Sequence, residues 1–109
     1  MSQPALPAGL QPLMLQAPIE ASPGAVAERL RAAGVKPSSW SNGPGDRYAA
    51  HSHAYTKLLM CAAGSITFRV GEADETVELH PGEGFVLPPD TQHAAIVGPE
   101  GCTCLEGHR

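Results

Sequence analysis

Turn-forming residues set the first limit on this chain. Twelve glycines and eleven prolines make up about one residue in five, against roughly 12% for the two together in average proteins. Proline breaks a helix interior and glycine weakens it. Their spread along the chain therefore excludes a helical bundle and calls for short elements joined by turns. A length of 109 residues is one domain's worth. The apolar share, 42%, suffices for one core, and the charged share of 17% is too low for a disordered chain. Aromatic residues are only 5%, so that core is aliphatic.

The formal net charge of −4 argues against nucleic acid or an anionic membrane surface as partner, because both require a basic face. No run approaches the ~18 apolar residues of a membrane span. The opening Met1-Ser2-Gln3-Pro4 lacks the basic start and apolar run of a signal peptide. Three cysteines, an odd number, do not form a disulfide framework. Cys102 and Cys104 stand two apart, which on a strand turns both to one face. The expectation is a cytoplasmic protein with reduced thiols packed as small apolar residues.

Residues 1–21 carry Pro4, Pro7, Pro12 and Pro18 and read as an extended arm with one short strand at Leu13-Met14-Leu15. One helix follows. Ser22 suits its N-cap, Pro23 its first position and Gly34 its end. Val26, Leu30 and Ala33 form one apolar stripe. Asn42-Gly43-Pro44-Gly45 is a strong turn. Beyond it β-like runs alternate with turns: 56–62, 65–70, 76–79, 84–87, 93–97 and 102–105. Ile66, Phe68 and Val70 alternate with Thr67 and Arg69, as in a half-buried strand. This spacing predicts an all-β sandwich or barrel.

Five histidines carry most of the chemical information. His51 and His53 are two apart in a strand-like segment, so both rings face one side, and Lys57 follows on that side if the strand is regular. His93 opens a later run after Pro88-Pro89-Asp90. Two histidines on one strand and a third on a facing strand would offer three imidazole nitrogens to a divalent metal. Tyr55 lies between His53 and Lys57 and is either a ligand-binding hydroxyl or a core aromatic. Tyr48 and Trp40 read as core or barrel-mouth residues, Cys61 as interior packing, and Glu83 and His80 as turn or surface residues. His108 has no site context.

The spacing around these residues resembles the cupin superfamily. Gly45, His51, His53, Lys57 and Gly64 fit the first cupin motif, G-x5-H-x-H-x3-E-x6-G. Gly82, Pro88, Asp90 and His93 fit the second, G-x5-P-x-G-x2-H-x3-N. Three positions depart: Lys57 stands for the usual metal-binding Glu, Asp90 for Gly and Val97 for Asn. The Asp change is mild, since Asp tolerates left-handed turns. The Lys change leaves three outcomes. Lys57 points away from a three-histidine site, or it serves as an acid or base beside the metal, or the site has lost its metal.

The resemblance implies a double-stranded β-helix, the jelly-roll barrel, with one short N-terminal helix outside. Residues 1–39 would form an arm and helix packed on a barrel of residues 40–109. It implies a small RmlC-like cupin in which His51, His53 and His93 hold Zn, Fe, Ni or Mn. Lys57 and Tyr55 are the candidate catalytic residues. The partner would be a small, anionic organic molecule, transformed by dioxygenase, isomerase or lyase chemistry. The alternative is a non-catalytic small-molecule-binding cupin with a degenerate metal site. A homodimer is expected, with the arm adding a strand to a partner or packing against it.

Overall fold

A computed structural model describes residues 6, 9–16 and 19–109. Pro4, Pro7 and Pro18 of the expected arm lie outside the described residues. Eight elements follow in order: β1 (Gln11–Met14), α1 (Pro23–Ala32), β2 (Ser38–Asn42), β3 (Arg47–His51), β4 (Lys57–Val70), β5 (Glu75–Leu79), β6 (Glu83–Leu87) and β7 (His93–His108).

The helix begins and ends on its local signals. The Ser22 hydroxyl accepts a hydrogen bond from the Ala25 amide, Pro23 occupies the first turn, and Gly34 leaves the helix at φ 90°. Its buried face, Val26 and Leu30, packs with Leu13, Val35, Leu58, Met60, Ala62 and Leu105 on the outside of the barrel. Each valine, leucine or methionine among them contributes about 1.5–3 kcal/mol when fully buried. A helix this short needs that packing, because isolated helices under ~12–15 residues are marginal in water.

The largest departure from the sequence expectation concerns β4 and β7. The runs 56–62 and 65–70 belong to one strand, as do 93–97 and 102–105. These two long strands pair along their length, from Lys57↔His108 to Val70↔His93, with register shifts between Cys61/Ala63 and Gly64/Ile66. The glycines read as chain-reversing turns are bends within paired strands. Gly64 has φ 70° and lies opposite Cys102; a Cβ there would stand 1.9 Å from the Gly101 carbonyl oxygen. Gly101 itself has φ 78°.

Bending both strands at this point folds one sheet over itself. The first half of β4 and the second half of β7 pair with β6 and β2, and β1 continues that layer on β6. The second half of β4 and the first half of β7 pair with β5 and β3 to make the other layer. All these pairings are antiparallel. The expected all-β jelly roll with one helix is therefore the observed architecture. β1 pairs with β6 of its own chain, so the strand-forming part of the arm is used internally.

Between the layers lies the inner core, which includes Leu59, Cys61, Ile66, Phe68, Val77, Leu79, Phe85, Leu87, Val97 and Cys104. The three thiols are free and buried, as expected. Cys61 and Cys104 are cross-strand partners. The Cys104 thiol is held protonated far above the ordinary range, first by its hydrogen bond with Cys61 and then by burial. β2 has no counterpart among the expected strands. Its sequence, Ser-Ser-Trp-Ser-Asn, is polar, and its strand character comes from pairing with β7 over Ser38–Asn42.

Candidate metal centre

Because β4 and β7 both bend at Gly64 and Gly101, their outer ends return to the same end of the barrel. Lys57, Glu106 and His108 arrive there from one layer, and His93 from the other. β3 brings His51, which pairs directly with His93. Paired residues on antiparallel strands share a face, so the two rings meet with centroids 4.3 Å apart.

His53 does not stand on a strand with His51, as the sequence suggested. β3 ends at His51, and residues 52–56 form a loop. The loop is tied to the second motif by the Asp90 amide, which donates to the His53 carbonyl oxygen at 2.7 Å. Asp90 takes φ 58°, the left-handed conformation expected where the family pattern has Gly. This tie carries His53 to 4.8 Å from His51 and 5.2 Å from His93 between ring centroids. One ligand atom from each ring lies within 4.8 Å of the others.

The backbone sets which nitrogen is free. His51 Nδ1 contacts the Ala49 carbonyl at 2.8 Å, and His93 Nδ1 the Thr91 carbonyl at 2.9 Å. A carbonyl only accepts, so Nδ1 carries the proton and Nε2 presents a lone pair. The Nε2 atoms of His53 and His93 are buried with no hydrogen-bond partner among the described residues. Leaving such an atom unpaired costs about 1–3 kcal/mol. Three converging imidazoles, two with orphaned buried nitrogens, fit a divalent transition metal.

Electrostatics favour the same state. Burial, then the Lys57 and His51 charges, hold the His53 pKa below the usual imidazole value. Burial lowers that of His93, against the opposing effect of its Thr91 hydrogen bond. Both rings are thus kept in the neutral form that a metal requires.

Beside the histidines lies a cavity of about 200 Å³, smaller than the ~300–1,000 Å³ typical of drug-sized ligand sites. Its walls are Leu59, Phe68 and Ala95, with Trp40 and Tyr48 at the side, and it is bordered by His51, His93, Lys57 and Glu106. Lys57 faces this space from the start of β4, and not through alternation along a strand from His53, because residues 52–56 form a loop. Its Nζ is 3.3 Å from Glu106 Oε2, and its side chain is only 12% exposed. The Trp40 indole N–H donates to Glu106 Oε1 at 2.7 Å. Trp40 and Tyr48 meet edge to face. Tyr55 is not among the cavity's lining residues. Its ring stacks on His53 at 4.9 Å and meets His108 at 4.6 Å.

Glu106 and His108 are the residues that sequence reasoning missed. Both follow from alternation once the register is known, since Leu59↔Glu106 and Lys57↔His108 place them on the inward face. His80, expected at the surface, is there, 3.1 Å from Glu78 and 3.3 Å from Glu83.

The sequence model of the Cupin domain family matches residues 40–107. No curated protein matches the chain in sequence. Similar solved structures include an RmlC-like cupin from Shewanella frigidimarina, 19% identical, with TM-score 0.60 over 68% of this chain and 64% of that one. The DMSP lyase DddQ from Ruegeria pomeroyi is 22% identical, with TM-score 0.61 over 67% of this chain and 36% of that one. The QdtA 3,4-ketoisomerase from Thermoanaerobacterium thermosaccharolyticum is 18% identical, with TM-score 0.63 over 94% and 81%. The chain therefore spans less than two thirds of the length of the first two. At these identities the likeness establishes the fold alone. With the family match covering both histidine motifs, the chain belongs to the cupin domain family.

Proposed function

We propose that this protein is a metal-dependent cupin that binds, and acts on, a small anionic organic molecule. The observation that carries this reading is the convergence of His51, His53 and His93, with the Nε2 atoms of His53 and His93 buried and without a hydrogen-bond partner among the described residues. Zn, Fe, Ni or Mn suits three imidazole ligands. Such an ion would supply Lewis-acid polarisation or water activation at its open positions. The chain's own residues do the rest. Leu59, Phe68 and Ala95 exclude water from the ligand. Lys57 holds an anionic group through Nζ and can give a proton to it. Tyr55 fixes the plane of His53 by stacking.

The relatives named above include a lyase and an isomerase, two of the three reaction classes open to such a site. We read the molecule as a cytoplasmic homodimer. Its buried free thiols support the first point. Light scattering on the purified protein checks the dimer.

The central test is metal analysis after expression with each of the four metals. Near-stoichiometric metal in the native protein, lost in His51→Ala and His93→Ala, is the expected result. Native protein that takes up none of them would sink the reading.

A further inference from the structure

The three histidines bring no negative charge to a bound dication, yet Lys57 brings an ammonium group into the cavity that His51 and His93 border. Two like charges close together in a partly dry space oppose one another strongly. Among the residues lining that cavity, Glu106 is the single acid. Both its oxygens are engaged, Oε2 by Lys57 at 3.3 Å and Oε1 by the Trp40 indole at 2.7 Å. Glu106 stands on β7, paired with Ser38 of β2 and Leu59 of β4, so its backbone is held on both sides.

We propose that Glu106 is a positioning residue of the metal centre. Anchored by Trp40, it cancels the Lys57 charge inside the cavity, so that an ammonium group and a dication can occupy the same pocket. Where the family pattern places a negative charge at position 57, this cavity holds an ammonium group, and its countercharge comes from the far end of the chain. The pocket consequently keeps a full dication for the ligand and a separate N–H donor for the ligand's anionic group. This inference rests on the metal reading above and goes beyond it, because it assigns a role to a residue outside the three ligands.

The arrangement has a thermodynamic signature that simple structural support lacks. In Glu106→Gln the lysine charge is uncompensated, and metal binding weakens. In Lys57→Met the carboxylate is released to attract the dication directly, and binding tightens. In the double variant both charges are gone, and affinity returns close to that of the native protein.

The experiment titrates Ni²⁺ into the metal-stripped full chain and its three variants against a chromophoric chelator. Emission of Trp40, the sole tryptophan, gives a second readout from within the pocket. The expected loss for Glu106→Gln is about 10-fold or more in affinity, the effect of one uncompensated charge beside a dication in a partly screened pocket, with recovery in the double variant. Circular dichroism checks that each variant folds. Glu106→Gln binding as tightly as the native protein, or a double variant no better than Glu106→Gln, overturns the proposal. Should Glu106→Gln not fold, Lys57→Met decides, and unchanged or weaker binding there overturns it. Native protein that binds no Ni²⁺ is a different failure. It removes the metal reading itself, whereas metal binding indifferent to Glu106 removes this inference alone.

Discussion

The two ends of the barrel interior are built from the same two strands, yet they do opposite work. At the bend, Cys61, Ile66, Val97 and Cys104 face one another in a dry, closely packed space. At the mouth, the same faces of β4 and β7 present Lys57, Glu106 and His93, with His51 and His53 added from β3 and its following loop. The bend is where the fold is secured. The mouth holds buried polar atoms without partners, which oppose folding until something binds them. A strand pair thus carries stability at one end and binding chemistry at the other, with its register shifted at the bend.

The strongest way to break this comparison is at the bend. Ile66 is 1% exposed and belongs to the inner core. Ile66→Ala removes buried volume and should cost about 2–5 kcal/mol in chemical denaturation. Metal binding by the molecules that remain folded should be unchanged. A variant that keeps its stability would show that the bend is not where the fold is secured.

The mouth should respond in the reverse manner. A metal supplied at 100 times its Kd should stabilise the native protein by about 2.7 kcal/mol. The same gain should appear in Ile66→Ala and vanish in His93→Ala. Without metal, His93→Ala also removes an unpartnered buried nitrogen, so its denaturation midpoint should move far less than that of Ile66→Ala. Thermal melts with and without metal separate the two regions directly.

How far the sequence reached follows the same division between local and distant determinants. The helix was legible because Ser22, Pro23 and Gly34 act within a few residues of themselves. The histidine set was legible because motif spacing encodes where strands begin and turns fall. The bends were misread, because Gly64 and Gly98–Gly101 carry ordinary turn chemistry, and only the pairing of Gly64 with Cys102 makes a bend of it. His53 was placed on a strand that stops at His51, because the tie from Asp90 is a contact across 37 positions. Glu106 was invisible for the same reason. Nothing near Leu105-Glu106-Gly107 says that Lys57 and Trp40 will meet it.

A pH series sharpens the account of the mouth. His53 and His93 titrate below their ordinary value of roughly 6.5 in the folded, metal-free protein, chiefly through burial. The unfolded chain therefore binds more protons than the folded one between that value and the lowered folded-state values. Stability then rises with pH across this window. The contribution of the neutral rings is fully present above pH ~6.5 and is lost as pH falls through the folded-state values. Urea midpoints measured from pH 7.5 downward should fall, and a His53→Gln/His93→Gln variant should show a shallower slope. Equal slopes would mean that burial at the mouth does not suppress protonation.

The smallest effect belongs to the histidine that has the most visible partners. His80 contacts both Glu78 and Glu83, whereas the buried Nε2 atoms of His53 and His93 have no hydrogen-bond partner among the described residues. Counting contacts would rank His80 as the important residue. Yet its side chain is 57% exposed, and exposed ion pairs gain little, since water and salt screen them and two side chains lose freedom. His80→Ala should change stability by no more than about 0.5 kcal/mol and leave metal affinity untouched. A loss comparable to that of Ile66→Ala would reverse the argument. The partner count, and not burial, would then decide what a histidine does in this barrel. The unpartnered nitrogens at the mouth would lose their standing as the mark of the site.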